Sequence, residues 1–282
     1  MTCPNIFGIL LRCNAVNMKT SLFLFFLAIF PGLLIAQEYS DLPTAPPRID
    51  IKKIHFGLYI APDISWMHPT ASKSDDGKYY VRSDGSKAGY VWGLMLDYYF
   101  ATNYCFATGF DLNTSGGKIA TTYNPNQVNS GGASTVLNTN FNYNLKYLDI
   151  PFALKLRSDQ LNKDGLKIYG QFGLTLAINV SKKANYTVDY NDENGNYQIL
   201  QGTNEKLTGT LATTPLMLQM NLGGGIEYPI KPKLHFYTGL FFNNSFLPNT
   251  VSPKNYDLGY KGSFTDGYVR LNNIALRLGL FF

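Results

Sequence analysis

The sequence predicts an all-β protein, an eight-stranded antiparallel transmembrane up-and-down β-barrel with long extracellular loops and short periplasmic turns. Three observations predict it. Apolar residues alternate with small or polar residues over unusually long segments, the connections between these segments alternate in length, and aromatic residues gather at the segment ends. The composition agrees, because 15 % of the 282 residues are aromatic and only 15 % are charged, whereas a soluble domain has about 25 % charged residues.

The period-two alternation is clearest over residues 166–180, where Leu166, Ile168 and Phe172 share one face with the following leucines. An amphipathic helix would need a period of 3.6 residues and would be destabilised by this density of glycine. The segments resemble membrane-spanning strands of about 9–11 residues more than globular strands of about 5–6. The eight predicted strands are 55–67, 90–100, 104–113, 143–157, 166–180, 214–229, 234–245 and 270–282.

Long and short connections alternate along the chain. The short ones are 101–103, 158–165 and 230–233, and the long ones are 68–89, 114–142, 181–213 and 246–269. This alternation is typical of outer-membrane barrels, which have short periplasmic turns and long extracellular loops. The even strand number then predicts periplasmic mature termini. Turn signals at Asp76-Gly77, Asp84-Gly85 and Asn194-Gly195 predict that strands 1–2 and 5–6 extend beyond the membrane as outer hairpins.

The apolar face is expected to point outward, toward lipid. A secreted lipocalin-like barrel, with its apolar face around a ligand, is the main alternative. Such a barrel needs a solvated outer face, but the second face here is mostly Gly, Ala, Ser and Thr, which suit a narrow lumen. Aromatic residues at both strand ends also fit the two interfaces of a bilayer. The predicted interface aromatics are Trp66, Trp92, Tyr98, Phe100, Tyr228, Phe236 and Phe242.

The N-terminal part predicts export. Residues 18–36 combine Lys19, an apolar core, Pro31-Gly32 and a final Ala36, which is the pattern of a cleaved signal peptide. The predicted organisation is therefore an upstream extension plus signal over 1–36, a periplasmic tether over 37–52 and a barrel over 53–282. Cleavage after Ala36 leaves one cysteine and lowers the formal net charge from +5 to +3, so neither a disulfide framework nor a nucleic-acid partner is expected.

Charged residues also fall on the face predicted to line the lumen. A charge inside a narrow barrel needs a partner, because an unpaired buried charge costs several kcal/mol. We therefore predict a salt-bridged plug, with an ion pathway as the alternative. The predicted lumen charge network consists of Asp97, Asp149, Lys155, Lys167, Glu227 and Arg277.

Three of the segments resemble a known family. Residues 147–155 (YLDIPFALK) look like the Tyr-Leu-acid-Ile-Pro strand of the PorT-like outer-membrane β-barrel proteins of Bacteroidota, and 221–228 (NLGGGIEY) are similar to their glycine-rich sixth strand. Residues 274–282 resemble a closing strand that ends in an aromatic residue. The resemblance implies that barrel-assembly machinery reads Leu278, Leu280 and Phe282. Some members of the family take part in gliding and type IX secretion.

Catalytic patterns are weak. The histidines are His55, His68 and His235, of which His55 and His235 are expected to be neighbours, and no nucleophile elbow or His-x-x-x-His pair accompanies them. We therefore predict a non-enzymatic protein of the bacterial outer membrane, structural or partner-binding, without cofactor or metal. Expected partners are outer-membrane lipid, the assembly machinery and a surface ligand or envelope protein held by the long loops. The alternatives are an accessory barrel of a secretion or gliding machine and an outer-membrane lipid-modifying enzyme.

Overall fold

The computed structural model describes residues 54–73, 77–126, 135–207, 214–247 and 269–282. All of them belong to one compact unit. The predicted signal peptide (18–36) and tether (37–52) lie outside the described residues.

The strands are β1 (Ile54–Pro69), β2 (Tyr79–Ala101), β3 (Tyr104–Tyr123), β4 (Thr135–Arg157), β5 (Lys167–Asn191), β6 (Tyr197–Lys206), β7 (Leu216–Lys231), β8 (Leu234–Ser245) and β9 (Val269–Phe281). The described part of the chain contains no helix long and apolar enough to cross a membrane.

Eight strands close into an antiparallel up-and-down ring. Each pairs with its sequence neighbour, except that β5 pairs with β7 and β9 returns to pair with β1. The Phe282 amide closes this last seam by donating to the Phe56 carbonyl over 2.8 Å. β6 stands outside the ring and pairs with the far half of β5. The predicted fold class is therefore confirmed, with one additional strand.

The strands extend further than predicted at the long-connection end, which is the end opposite the short turns. Much of the predicted loops 68–89, 114–142 and 181–213 is strand: β2 begins at Tyr79, β3 continues to Tyr123 and β4 begins at Thr135. These stretches alternate between polar and buried residues rather than between polar and lipid-facing ones. The hydrophobic pattern therefore stopped at the membrane boundary although backbone pairing did not.

The turn signals were correct in one place and wrong in another. The β5–β6 hairpin turns at 192–196, as Asn194-Gly195 predicted, but only Gly195 there has a positive φ (79°). A type I′ turn needs two such residues. Instead, Asp192 Oδ1 accepts the Asn194 and Asn196 amides at 2.9 and 2.8 Å. Gly85 (φ 131°) lies inside β2 at a shift of register, so Asp84-Gly85 is a bulge rather than a turn.

Large apolar side chains cover the outer face of the ring. On β2 they run from Tyr90 to Phe100, whose exposed fractions are 54 % and 59 %. At about 3.3 Å per residue and a tilt of about 40° this row spans about 25 Å, which matches the apolar band of a membrane barrel. A lipocalin-like barrel would bury these residues. The lipid-facing orientation of the apolar face therefore accounts for the exposure, and the lipocalin alternative was wrong.

Candidate functional site

The short-turn half of the lumen holds an ion-paired cluster. Lys155 Nζ lies 2.8 Å from Asp97 Oδ2 and also contacts Glu227 Oε1. Arg157 Nη1 lies 3.2 Å from the other oxygen of Glu227. Lys155, Asp97 and Glu227 are all buried. At this level two cations are therefore matched by two carboxylates. Charges buried away from water need such partners, because an unpaired one is strongly destabilising.

Aromatic rings surround the lumen cations. Lys155 Nζ lies 4.6 Å from the ring centroid of Tyr169 and 4.7 Å from that of Phe281. Farther from the short turns, the Arg277 guanidinium lies 4.0 Å from the Phe241 ring and 4.9 Å from the Tyr59 ring. Ring faces attract cations within about 6 Å. These inward aromatics were missed from the sequence, because the alternation assigns aromatic residues to the lipid face.

A chain of amide side chains crosses the lumen wall from β5 to β9. Gln171 Nε2 donates to Asn221 Oδ1 (3.1 Å), Asn221 Nδ2 to Asn243 Oδ1 (2.6 Å), and Asn243 Nδ2 to Asn273 Oδ1 (2.6 Å). All four residues are buried. The two middle amides, Asn221 and Asn243, both donate and accept, so the chain gives hydrogen-bond partners to polar groups that are buried in a narrow lumen.

Three further carboxylates of the inner face, Asp63, Asp111 and Asp149, are buried, and Asp111 lines the same small cavity as Arg277. Asp149 accepts a hydrogen bond from Asn113 Nδ2 at 2.8 Å. Within the described residues no donor reaches either carboxylate oxygen of Asp63. The same part of the chain contains no group of three or more His, Cys, Asp or Glu side chains placed to hold a metal ion.

The predicted charge network is thus only partly one cluster. Asp97, Lys155 and Glu227 come together, and Arg157 joins them. Asp149 lies apart beside Asn113, and Arg277 packs on aromatic rings. Lys167 is half-buried at the short-turn end and forms no ion pair with the described residues. The sequence placed all six on the inner face but could not show which of them would pair.

Little space remains in the middle of the lumen. A cavity of about 20 Å³ lies between Lys155, Arg277 and Tyr237, which is room for about one water. The rings of Tyr237 and Phe281 pack 5.3 Å apart beside it. At the short-turn mouth the rings of His55 and His235 lie 6.3 Å apart, as neighbours. The lumen is therefore filled by side chains at these levels.

A polar groove lies on the part of the sheet that extends past the apolar band, from Asp84 on β2 to Gln201 on β6. Its volume is about 360 Å³. Asn142 Oδ1 is buried there without a hydrogen-bond donor among the described residues. Tyr186 also lines the groove; its Oη donates to Glu205 Oε2 at 2.6 Å, and burial together with this carboxylate raises the pKa of Tyr186 to about 12. The amide and hydroxyl residues that line the groove are Asn140, Asn142, Asn185, Thr187, Gln201 and Thr203.

The predicted interface aromatics all lie on the outer face of the ring. Trp66 stacks on Phe242 with centroids 6.4 Å apart, near the long-connection end, where Trp92 also lies. Tyr98, Phe100, Tyr228 and Phe236 lie toward the short turns. On β9, Leu278 and Leu280 also face outward, and Phe282 follows them with 54 % of its surface exposed.

Several solved structures show a limited similarity to this chain. Neisserial surface protein A is 13 % identical, with a TM-score of 0.36 over 82 % of this chain and 97 % of its own. OprG from Pseudomonas aeruginosa is 12 % identical, with a TM-score of 0.34 over 81 % and 94 %. The outer membrane protease OmpT from Escherichia coli is 8 % identical, with a TM-score of 0.33 over 82 % and 96 %. None of the curated proteins compared matches this chain.

The closed ring, the apolar outer band and the filled polar lumen define a transmembrane β-barrel. The family model described as "Outer membrane protein beta-barrel domain" matches residues 36–271. The chain therefore belongs to this outer-membrane β-barrel family, which implies a location in the bacterial outer membrane.

Proposed function

We propose that this protein is a non-enzymatic outer-membrane barrel that binds a polar partner at the cell surface through the polar groove. The groove is the observation that carries the proposal. Its volume of about 360 Å³ lies in the range of ligand sites, about 300–1,000 Å³. Its amides and hydroxyls provide donors and acceptors on a rigid sheet, and Asn142 offers a buried acceptor.

The lumen supports a binding role over transport. Lys155 is held by two carboxylates and two rings, and the cavity beside it holds about one water. An ion crossing the barrel would have to break this cluster. The salt-bridged plug is therefore part of the proposal, and a steady open-pore current in planar bilayers would contradict it.

Export and orientation complete the proposal. Residues 18–36 act as a cleaved signal peptide, the mature termini lie in the periplasm, and the groove faces the outside of the cell. The extension of β2 to β6 past the apolar band, at the end opposite the short turns, supports this orientation. The resemblance of residues 147–155 and 221–228 supports a place among the PorT-like proteins of Bacteroidota. In the same proposal, Leu278, Leu280 and Phe282 are the residues that assembly machinery reads.

Site-specific photo-crosslinking in intact outer membranes tests the proposal. A photoreactive amino acid replaces Asn140, Thr187 or Gln201 in the groove, and Glu193 at the exposed hairpin turn serves as the control. We expect one discrete adduct from the groove positions and none from position 193. Mass spectrometry of the adduct then distinguishes a glycan or envelope protein from a component of a secretion machine.

Specificity is tested with a second substitution. Asn142→Ala removes the buried acceptor, so it should reduce the adduct formed from position 187 several-fold while the barrel still inserts. Equal adduct yields from the groove and from position 193 would contradict a groove-specific partner.

A further inference from the structure

Three lysines occupy one patch on the outer face at the long-connection end. Lys183 on β5 lies directly opposite Lys206 on β6. Lys146 on β4 lies opposite Ser181, two residues before Lys183 on the same face of β5. Lys146, Lys183 and Lys206, here called the lysine patch, therefore lie on neighbouring strands at adjacent positions.

The lysine patch has no countercharge among the described residues. No salt bridge or hydrogen bond in this part of the chain involves its three ammonium groups. Glu205 precedes Lys206 but lies opposite Ala184, on the other face, where it accepts the Tyr186 hydroxyl. Like charges directly opposite each other destabilise a sheet. An anion bound between these lysines would offset this repulsion.

The lysine patch begins where the apolar band ends. On β4, Lys146 comes immediately before the outward-facing row of Leu148, Ile150 and Phe152 and lies on the same face. On β5, the exposed Val180 and then Ser181 come immediately before the lysines. The patch thus lies at the level where a lipid changes from acyl chains to headgroup.

A cleft at the same position can receive a headgroup. Its volume is about 400 Å³, and its walls include Val180, Ser181, Lys182, Lys183, Lys206 and Pro215. The apolar side of Val180 and the ammonium groups of the lysines meet in one opening. That combination matches a molecule with a hydrocarbon part beside an anionic part.

We propose that the lysine patch binds the phosphate groups of a phosphorylated lipid in the outer leaflet of the membrane. Lys183 and Lys206 donate charge-assisted hydrogen bonds to phosphate oxygens, Lys146 adds a third cation, and the acyl chains pack along Leu148 and Val180. The leaflet assigned here rests on the orientation in the proposed function. The contact between lysines and lipid phosphate does not depend on the groove.

Lipid binding by the full-length mature barrel in nanodiscs tests the proposal. Nanodiscs of phosphatidylcholine carry diphosphoryl lipid A, its monophosphoryl form or neither, and native mass spectrometry measures the lipid retained. We expect retention to be greatest for the diphosphoryl form. Lys146→Gln/Lys183→Gln/Lys206→Gln should lower the affinity by about fivefold per lysine, which is the usual effect of one basic residue at an anionic membrane surface.

A matched control removes the same charge from the opposite end of the barrel. Lys163→Gln/Lys231→Gln/Lys233→Gln alters three exposed lysines at the short turns and should retain lipid as the unaltered protein does. Equal retention by both triple variants would overturn the proposal. So would displacement of the lipid by inorganic phosphate at matched concentration, because it would identify a site for free anions.

Stability gives a second readout that a general folding defect does not reproduce. In zwitterionic micelles Lys183→Gln should raise the unfolding midpoint, because it removes like-charge repulsion. With diphosphoryl lipid A present, the same variant should lose the stabilisation that the lipid gives the unaltered protein. A variant that is less stable under both conditions would overturn the proposal. Because nanodiscs carry the lipid in both leaflets, this result is independent of the orientation and of groove binding.

Discussion

Lys155 Nζ lies 2.8 Å from Asp97 Oδ2, although the two residues are 58 positions apart and β3 separates their strands. Lys155 thereby joins β2 to β4 across the lumen and, through Glu227, joins both to β7. The pairing is therefore a link between strands that share no backbone hydrogen bonds. The ion pair constrains the distance between these strands and also neutralises the two charges.

Removing the central cation should destabilise the barrel strongly. Lys155→Met leaves Asp97 unpaired and Glu227 with Arg157 alone, so we expect a loss of about 3–5 kcal/mol, typical of a broken buried ion pair. Urea unfolding in lipid vesicles, followed by tryptophan fluorescence, measures it. Lys167→Met is the matched control because Lys167 is half-buried and unpaired among the described residues. A loss under 1 kcal/mol for Lys155→Met would mean that the cluster is not stabilising.

The amide chain should depend on its middle member. Asn243→Ala leaves Asn221 Nδ2 without its acceptor and Asn273 Oδ1 without its donor. Unsatisfied buried groups cost about 1–3 kcal/mol each. Asn244→Ala, next in sequence, breaks only the part-buried pair with Asn272 and should cost less. Equal losses for the two variants, measured by the same unfolding experiment, would contradict a cooperative chain.

The absence of a side chain at Gly279 should be essential for packing. A Cβ there would lie 2.1 Å from Cε1 of Tyr237, whereas a Cβ at Gly170 would meet nothing within 4 Å. Gly279→Ala should therefore cost about 1–3 kcal/mol through overpacking, and Gly170→Ala should be near neutral. Unfolding midpoints of the two variants provide the comparison. The Leu58 backbone oxygen, 2.6 Å from the same Cβ, cannot move as a side chain can, so equal midpoints for the two variants would contradict the packing argument.

The β5–β6 turn should weaken in acid. Hydrogen bonds from the Asn196 and Asn194 amides lower the pKa of Asp192. Because the folded-state pKa is below the ordinary value of about 3.9, the stabilisation is complete above that pH and is lost as pH falls through the lowered value. Hydrogen–deuterium exchange of residues 192–196, corrected for intrinsic rates, should show protection falling in that window.

Two variants separate the Asp192 effect from general acid instability. Asp192→Asn should abolish the pH dependence of protection in the turn. Glu193→Gln changes an exposed neighbouring carboxylate and should preserve it. The same pH profile in all three proteins would show that Asp192 is not responsible.

The eight strands of the ring could be predicted from the sequence because a lipid-facing strand has an apolar residue at every second position. That rule located β8 at both ends, 234–245, and placed the short turns within a few residues. It failed beyond the membrane, where β3 continues through Lys118 and Ile119 to Tyr123. There the buried residues face other side chains of the extended sheet, and the exposed face meets water, so no lipid-facing row marks the strand.

The residues that line the lumen could be predicted from the sequence, but their contacts with one another could not. The alternation of inward and outward side chains along each strand placed Asp97, Lys155 and Arg277 inside the barrel. Their heights depend on the register between strands and on the shift at Lys146 and Tyr147, where β5 carries one extra residue. A pattern within single strands contains no such information. The groove depends on the same missing information, because its residues come from five strands.

The seam between β1 and β9 has a consequence for biogenesis. Gly57 pairs with Phe281, so the first strand of the barrel finds its last hydrogen-bonding partner only after the final strand has arrived. Until then both strands present unpaired edges, which promote association with other chains. The half-made barrel is therefore exposed to association with other chains until the two ends of the sheet have met.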